Sequence, residues 1–373
     1  MSGGEPRAAT PLALKLAARI ARDGQIGIAD YMQACLQDPE HGYYRRRPAI
    51  GSSGDFTTAP EISQVFGEII GLWCAVVWQQ MGSPPALRLV ELGPGRGTLL
   101  LDVLRAARLV PAFRSALRVE LIESNAELEP VQRATLKDEA VPVRWCSGLA
   151  AGTGPVIVIA NEFLDSLPVS QWVFHGGVWH RRCVGIDAAG ALTFADGFAD
   201  TAPAAPAGLG DPRDGDIYET RTSVLAPFAK QLAGLGAPLA GLFIDYGHPQ
   251  PGYGDTLQAV AAHHYANPLH APGENDLTAQ VDFAAVAEAM RDCGLASDGP
   301  VAQAEFLGRL GIIERASKLM AANSAKAAQI EAGIARLIAP GGMGTRFQAI
   351  GIRSPDLPPL PALQAMDTGA SAS

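Results

Sequence analysis

Five short apolar runs alternate with segments of helical period: LRLVEL (87–92), LRVELIE (117–123), VPVRW (141–145), PVIVIA (155–160) and LAGLFIDYG (239–247). No other feature constrains the chain as much. Runs that are apolar throughout, rather than at every second position, suit strands buried on both faces of a parallel sheet. Parallel neighbours need helical crossovers, so the pattern predicts a doubly wound α/β core, mostly parallel, with helices on both faces. GMGTRFQAIGI (342–352) supplies a last strand. Between the fourth and fifth runs, SQWVFHGGVWHRRCV (170–184) reads as a hairpin turning at Gly176 and Gly177, and residues 199–215 read as a Pro/Ala/Gly loop.

The expected organisation is therefore a helical N-terminal extension (1–80), the core (81–249), a largely helical insertion or cap (250–340), a final core strand (341–353) and a loose tail (354–373). Within the extension, Thr58 and Glu61 have capping-box spacing and Pro60 suits a first turn. Ile62, Val65, Phe66, Ile69, Ile70, Trp73 and Val77 then recur at helical period.

Composition excludes several function classes. With 48% hydrophobic and 18% charged residues, the 373-residue chain carries a sizeable core. A formal charge of −9 opposes nucleic-acid binding, which needs a basic face. Cys35, Cys74, Cys146, Cys183 and Cys293 form no CxxC pair, which predicts reduced thiols and no metal site. No apolar run is long enough to span a membrane. Lys15 and Arg19 interrupt PLALKLAARIARDG, which reads as an amphipathic packing helix, and the expected location is cytoplasmic.

The first run passes into a helix through VELGPGRGT (90–98). In open α/β sheets ligands lie beyond the carboxyl ends of the strands, near the point where strand order reverses. Gly93, Pro94, Gly95 and Gly97 give a turn the ligand can approach closely, ahead of unpaired helix N–H groups. The G-x-G-x-G spacing departs from the G-x-G-x-x-G dinucleotide fingerprint. Glu123, closing the second run, can accept both ribose hydroxyls of an adenosine. Together with Glu91 before the turn, this favours S-adenosyl-L-methionine over a nicotinamide dinucleotide. The bland alternative is a plain tight turn with Glu123 as a helix cap.

Beyond the fourth run, IANEFLDSLPVSQW (159–172) brings Asn161 and Glu162 to the same edge. Glu162 stands where the amine-orienting motif of N-methyltransferases usually has proline, and a carboxylate there can grip a guanidinium bidentately. Glu162 is thus the main catalytic candidate, with Asn161 as its hydrogen-bond partner. Asp165 and Asp245 are secondary candidates, and His248 is a possible substrate contact. The competing view makes Asn161 and Glu162 caps of the next turn.

These blocks occur in order with GSSGDFTTAPEISQVFGEIIGLW (51–73), IDYGH (244–248), GDTLQAV (254–260) and NPLHAPGENDLTAQVDF (267–283). Together they resemble the MidA family of class I S-adenosylmethionine-dependent methyltransferases, over about 42–352. The resemblance implies a Rossmann-like methyltransferase core that uses S-adenosyl-L-methionine, held by Gly93, Gly95 and Glu123. It also implies that Asp55, Phe56, Thr57 and Thr58 form a loop near that ligand, and that the substrate is a protein arginine, in the family's mitochondrial member on a respiratory complex I subunit. Gln280 departs from the histidine or other polar residue expected there. Two further readings stay open: a small-molecule N- or O-methyltransferase using Asp245 or His248 as base, and a non-catalytic assembly protein retaining the fold.

Overall fold

A computed structural model describes residues 9–46, 58–199, 209–261 and 264–364, together with Ala202 and Ala204. Asp55, Phe56 and Thr57 lie outside these described residues. The central sheet contains β1 (Leu87–Leu92), β2 (Leu117–Ile122), β3 (Val143–Cys146), β4 (Val156–Asn161), β5 (Leu239–His248), β6 (Ala296–Ala302) and β7 (Phe347–Arg353). Their spatial order is β6-β7-β5-β4-β1-β2-β3. The five strands β3, β2, β1, β4 and β5 are parallel, while β7 runs antiparallel to both β5 and β6.

Each of the five apolar runs falls on one of these parallel strands, and β1 shows why their hydrophobicity is continuous. Leu87 and Leu89 enter one buried cluster and Val90 and Leu92 the other, so both faces are covered. The chain leaves β1 toward β2 and β3, then returns through β4 on the opposite side. The carboxyl ends of β1 and β4 are therefore neighbours whose crossovers diverge, which opens a crevice between them.

A second sheet is built on the expected hairpin. Ser170–His175 and Val178–Ile186 pair antiparallel, and Gly176 (φ 60°) and Gly177 (φ 82°) take the left-handed conformations of a two-residue hairpin turn. Ile26–Gly27, Leu192–Ala199 and Ile217–Thr220 complete this sheet.

Several boundaries differ from the sequence expectation. The segment after residue 250 is not helical at first. Gln258–Ala261 pairs with both His264–Ala266 and Asp276–Thr278 in a three-stranded antiparallel sheet. Ala296–Ala302, within the expected helical block, is a core edge strand. Gly299 and Pro300 disguise it, and a register shift between Asp298 and Val301 accommodates them at the sheet edge. Residues 354–364 are no loose tail, because Leu360 and Leu363 are fully buried and Trp73 Nε1 donates to the Pro361 carbonyl at 3.1 Å. The N-terminal extension also divides. Pro11–Asp23 and Ile28–Gln37 pack with the second sheet, whereas Gln64–Gln80 packs on the core.

The capping box is likewise not formed. Thr58 makes no side-chain cap, and Ala59–Ile62 is a separate turn. Ser63, extended at φ −156°, caps the long helix through its hydroxyl. That helix presses on Thr98–Ala107, the helix that follows the glycine turn, through two glycines. A Cβ on Gly67 would lie 2.6 Å from Asp102 Cβ, and one on Gly71 would lie 2.8 Å from the Val103 carbonyl oxygen. Gly71→Val should therefore destabilise the fold by about 1–3 kcal/mol through overpacking, measured as a lower urea midpoint with an unchanged m-value.

Candidate functional site

The glycine turn has a backbone explanation before any ligand is considered. Gly93 (φ 62°), Gly95 (φ 54°) and Gly97 (φ 79°) all occupy left-handed conformations that a side chain would strain. A Cβ on Gly97 would face Gln132 rather than the crevice. Gln132 is completely buried. Its Nε2 donates to the Gly95 carbonyl at 2.8 Å and its Oε1 accepts from Trp145 Nε1 at 2.8 Å. This glutamine, absent from the sequence-derived set, fixes the turn from behind; its place within an ordinary amphipathic helix gave no signal.

Ahead of the turn lies a narrow pocket lined by Thr58, Glu61, Glu91, Gly93, Pro94, Gly95, Arg96, Thr98, Asn161 and Glu162, among others. Seven of these were sequence candidates, from three separate segments. Glu61 joins them because Thr98 Oγ1 donates to its Oε1 at 2.5 Å, so the supposed capping residue instead ties the N-terminal segment to the glycine turn.

Two buried oxygens in this pocket have no partner among the described residues: Oε2 of Glu91 and Oδ1 of Asn161. Burial, with the charge of Glu123 nearby, pushes the Glu91 carboxyl up to about 8. An unsatisfied buried carboxylate and amide oxygen suit a ligand that brings its own cationic N–H donors. The ammonium of an S-adenosylmethionine-type ligand fits that requirement. Glu123 stands at the end of β2, where its carboxylate accepts from the Asn125 N–H at 2.7 Å and from Gln132 Nε2 at 3.3 Å. Burial raises its pKa, and these donors restrain the rise.

Glu162 is the most unusual residue of the site. It has φ 53°, a left-handed conformation rare for a glutamate. Its Oε1 accepts from the Ala59 N–H at 3.2 Å and from Asn161 Nδ2 at 3.0 Å. Burial, then the Asp165 charge, lifts its carboxyl to about 7, while the Ala59 and Asn161 donors and the Arg336 charge oppose that rise. Glu162 and Thr58 line the narrow pocket and also a larger cavity of about 660 Å³. The larger cavity brings together Tyr44, Asp165, Tyr246, Tyr265, Asp276, Arg336 and Arg346, among others. Burial raises the Asp165 pKa, held back by Tyr246 and Arg221.

Two catalytic candidates are corrected by this geometry. Asp245 lines neither cavity and is fully buried. Its Oδ2 accepts from the backbone N–H groups of Phe163, Leu164 and Asp165 at 3.0, 2.8 and 3.1 Å, and its Oδ1 from that of Tyr246 at 2.9 Å. It shapes the turn that presents Glu162. His248 faces a different cavity of about 500 Å³, with Tyr218, Arg221, Tyr253 and Glu288, and its Nδ1 lies 2.5 Å from the Gln250 carbonyl oxygen. Gln280 lines both large cavities. Among the described residues no His, Cys, Asp and Glu cluster could hold a metal ion.

Comparison with known proteins agrees with this chemistry. Residues 69–301 match a family described as S-adenosyl-L-methionine-dependent methyltransferases. The mouse protein named protein arginine methyltransferase NDUFAF7, mitochondrial, is 34% identical, covering 93% of this chain and 86% of its own. Its human counterpart is 33% identical, over 93% and 84%. A crystal structure from Burkholderia thailandensis, bound to S-adenosyl-homocysteine, has a TM-score of 0.82 and 28% identity and covers 97% of both chains.

Two measurements probe this arrangement. Asp245→Ala strands several buried N–H donors and should cost at least about 3 kcal/mol in urea unfolding. For Glu91 the folded pKa of about 8 lies above its ordinary 4.5, so the free protein holds this proton at pH 7. Its contribution to stability is present in full below about 4.5 and is lost as pH rises through about 8. Binding a cation beside Glu91 should then expel the proton. Calorimetry with S-adenosyl-homocysteine at pH 7, in buffers of different ionisation enthalpy, should show release of about one proton, abolished in Glu91→Gln.

Proposed function

The chain belongs to the MidA-like family of S-adenosyl-L-methionine-dependent methyltransferases, and from that premise we propose that it methylates an arginine side chain of a protein. The observation that carries the proposal is that Glu162 lines both the cofactor-side pocket and the acidic, aromatic cavity beside it. S-adenosyl-L-methionine, when bound, supplies an electrophilic methyl group. Glu91 and Asn161 would hold its ammonium end, the Gly93–Gly97 turn its backbone-facing side and Glu123 its ribose.

The chain's own residues answer the difficulty of the acceptor. A guanidinium has a pKa above about 12, so no side chain can keep it neutral at pH 7. Ionised Glu162 instead orients it by charge-assisted hydrogen bonds. Oε1 is held by Ala59 and Asn161, and no donor among the described residues reaches Oε2. That oxygen is placed to grip a guanidinium N–H and to receive its proton as the nitrogen is alkylated. Asp165 adds negative charge to the same cavity, and the faces of Tyr44 and Tyr246 suit a planar cation.

We extend the proposal to the partner. The acceptor is a subunit of a respiratory complex I-type assembly, as the family resemblance implies, and the protein works in the cytoplasm. The small-molecule alternative has less support, because Asp245 is consumed by backbone donors and His248 belongs to another cavity. In a strain lacking this chain, mass spectrometry of complex I subunits should show one methylarginine missing; unchanged methylation would remove that partner.

Glu162→Gln should lower kcat at least about 100-fold while S-adenosyl-homocysteine affinity stays within about twofold. Because Glu162 titrates near 7 and acts ionised, wild-type kcat/KM should fall as pH drops below about 7. Normal turnover in the glutamine variant would exclude this role.

A further inference from the structure

The acceptor cavity contains two cations whose presence the arginine reading does not explain. Arg336, in the last turn of the helix Ala327–Ile338, and Arg346, just before β7, line the same cavity as Glu162 and Asp165. Neither forms a side-chain ion pair or hydrogen bond among the described residues, whereas most other arginines of the fold do; Arg88, Arg114, Arg315 and Arg353, for example, each bind a carboxylate. The Arg336 charge helps to keep Glu162 ionised, but two like charges in one cavity repel a guanidinium ligand more than that single role requires.

Their backbones are also held firmly. In the connecting PGGMGTR loop a Cβ on Gly342 would meet the Arg336 carbonyl oxygen at 2.4 Å, and one on Gly344 would meet that of Ile338 at 2.2 Å. The Met343 N–H donates to the Arg336 carbonyl at 3.0 Å, and the Gly247 N–H to the Arg346 carbonyl at 3.1 Å. The loop therefore lies against the helix end at a separation that only glycine allows and is tied to the end of β5 by the Gly247 N–H. It brings Arg336, Met343 and Arg346 together into the lining of one cavity. Two exposed, solvated arginines need no partner for stability. Placed at the end of a helix and just before β7, and lining a shared cavity of about 660 Å³, they match a ligand that carries a negative group beside its positive one.

We infer that Arg336 and Arg346 form an anion-holding wall, and that the protein segment methylated here carries an aspartate or glutamate next to its acceptor arginine. This rests on the arginine-methylation reading above. Glu162 and Asp165 take the acceptor guanidinium, while the arginine wall takes the neighbouring carboxylate in the bidentate geometry that guanidinium and carboxylate share. Opposite charges at two fixed points select a substrate's orientation as well as its composition, and penalise a segment with lysine in the acidic position.

The test uses the full-length protein, S-adenosyl-L-methionine with a tritiated methyl group, and peptides with one fixed central arginine and randomised flanks. Wild type should favour Asp or Glu over Gln or Asn at one or two flanking positions by about tenfold in kcat/KM. Arg346→Glu, alone and with Arg336→Glu, should lose that preference and turn toward Lys or Arg at the same positions. S-adenosyl-homocysteine affinity should stay unchanged, because neither residue lines the cofactor-side pocket. Methylation with no acidic preference, or a preference that survives both reversals, overturns the anion wall and leaves arginine methylation standing. Complete absence of peptide methylation, with cofactor binding intact, overturns both.

Discussion

The site depends on one buried carboxylate that lines neither of its cavities. Asp245, on β5, accepts backbone N–H groups from Phe163, Leu164, Asp165 and Tyr246. Three of these donors belong to the turn that leaves β4. Parallel strands share no hairpin, so nothing in the sheet itself dictates the path of the chain beyond β4. The aspartate supplies that instruction by satisfying donors that would otherwise stay unpaired in the interior. With the turn fixed from Phe163 onward, Glu162 is forced into its left-handed conformation and its carboxylate into the crevice between β1 and β4. The strain at Glu162 persists because its neighbours over-determine it.

Around that crevice the fold concentrates acids that are costly to ionise. Glu91 and Glu162 are raised above their ordinary range mainly by burial. Each such group is a liability in the free protein and an asset once a cation arrives. In the proposed division of work, the narrow cavity would take the ammonium with its orphaned oxygens, and the wide one, lined by carboxylates and tyrosines, would take the guanidinium. Glu162 lines both, which on the proposed reading would put it between donor and acceptor. The buried Asp102, raised to about 7, lies outside the pocket. It pairs with Arg105 at 2.5 Å behind the helix that carries the glycine turn.

Close approach of backbones recurs wherever the fold must be exact. Gly67 and Gly71 let the long N-terminal helix press on the helix after the turn, and Gly342 and Gly344 lay the last loop on its preceding helix. At Gly93, Gly95 and Gly97 the requirement is conformational instead: a left-handed path turns the chain from β1 into the helix. A bare surface for the ligand follows from this turn rather than causing it.

The core was legible because burial on both faces writes itself into residue type: five apolar runs became five parallel strands, and the glycine turn and the Asn161–Glu162 step fell at the switch point that strand order implies. Local chemistry also identified the hairpin at Gly176–Gly177, where both positions need positive φ. Only tertiary structure separated Asp165 from Asp245, two aspartates of similar promise, because the difference lies in which backbone donors surround each. It likewise moved His248 to another cavity, revealed β6 behind its Gly299–Pro300 interruption, and turned Glu61 from a cap into a tie to Thr98. Arg336 and Arg346 lie far from the motifs in sequence, and folding alone brings them to the site, while Gln132, nine residues after Glu123, turns back to hold the glycine turn. Sequence reports what a residue prefers locally, whereas contacts between residues distant in the chain, such as Glu61 with Thr98 or Asp245 with Leu164, depend on packing that no local pattern encodes.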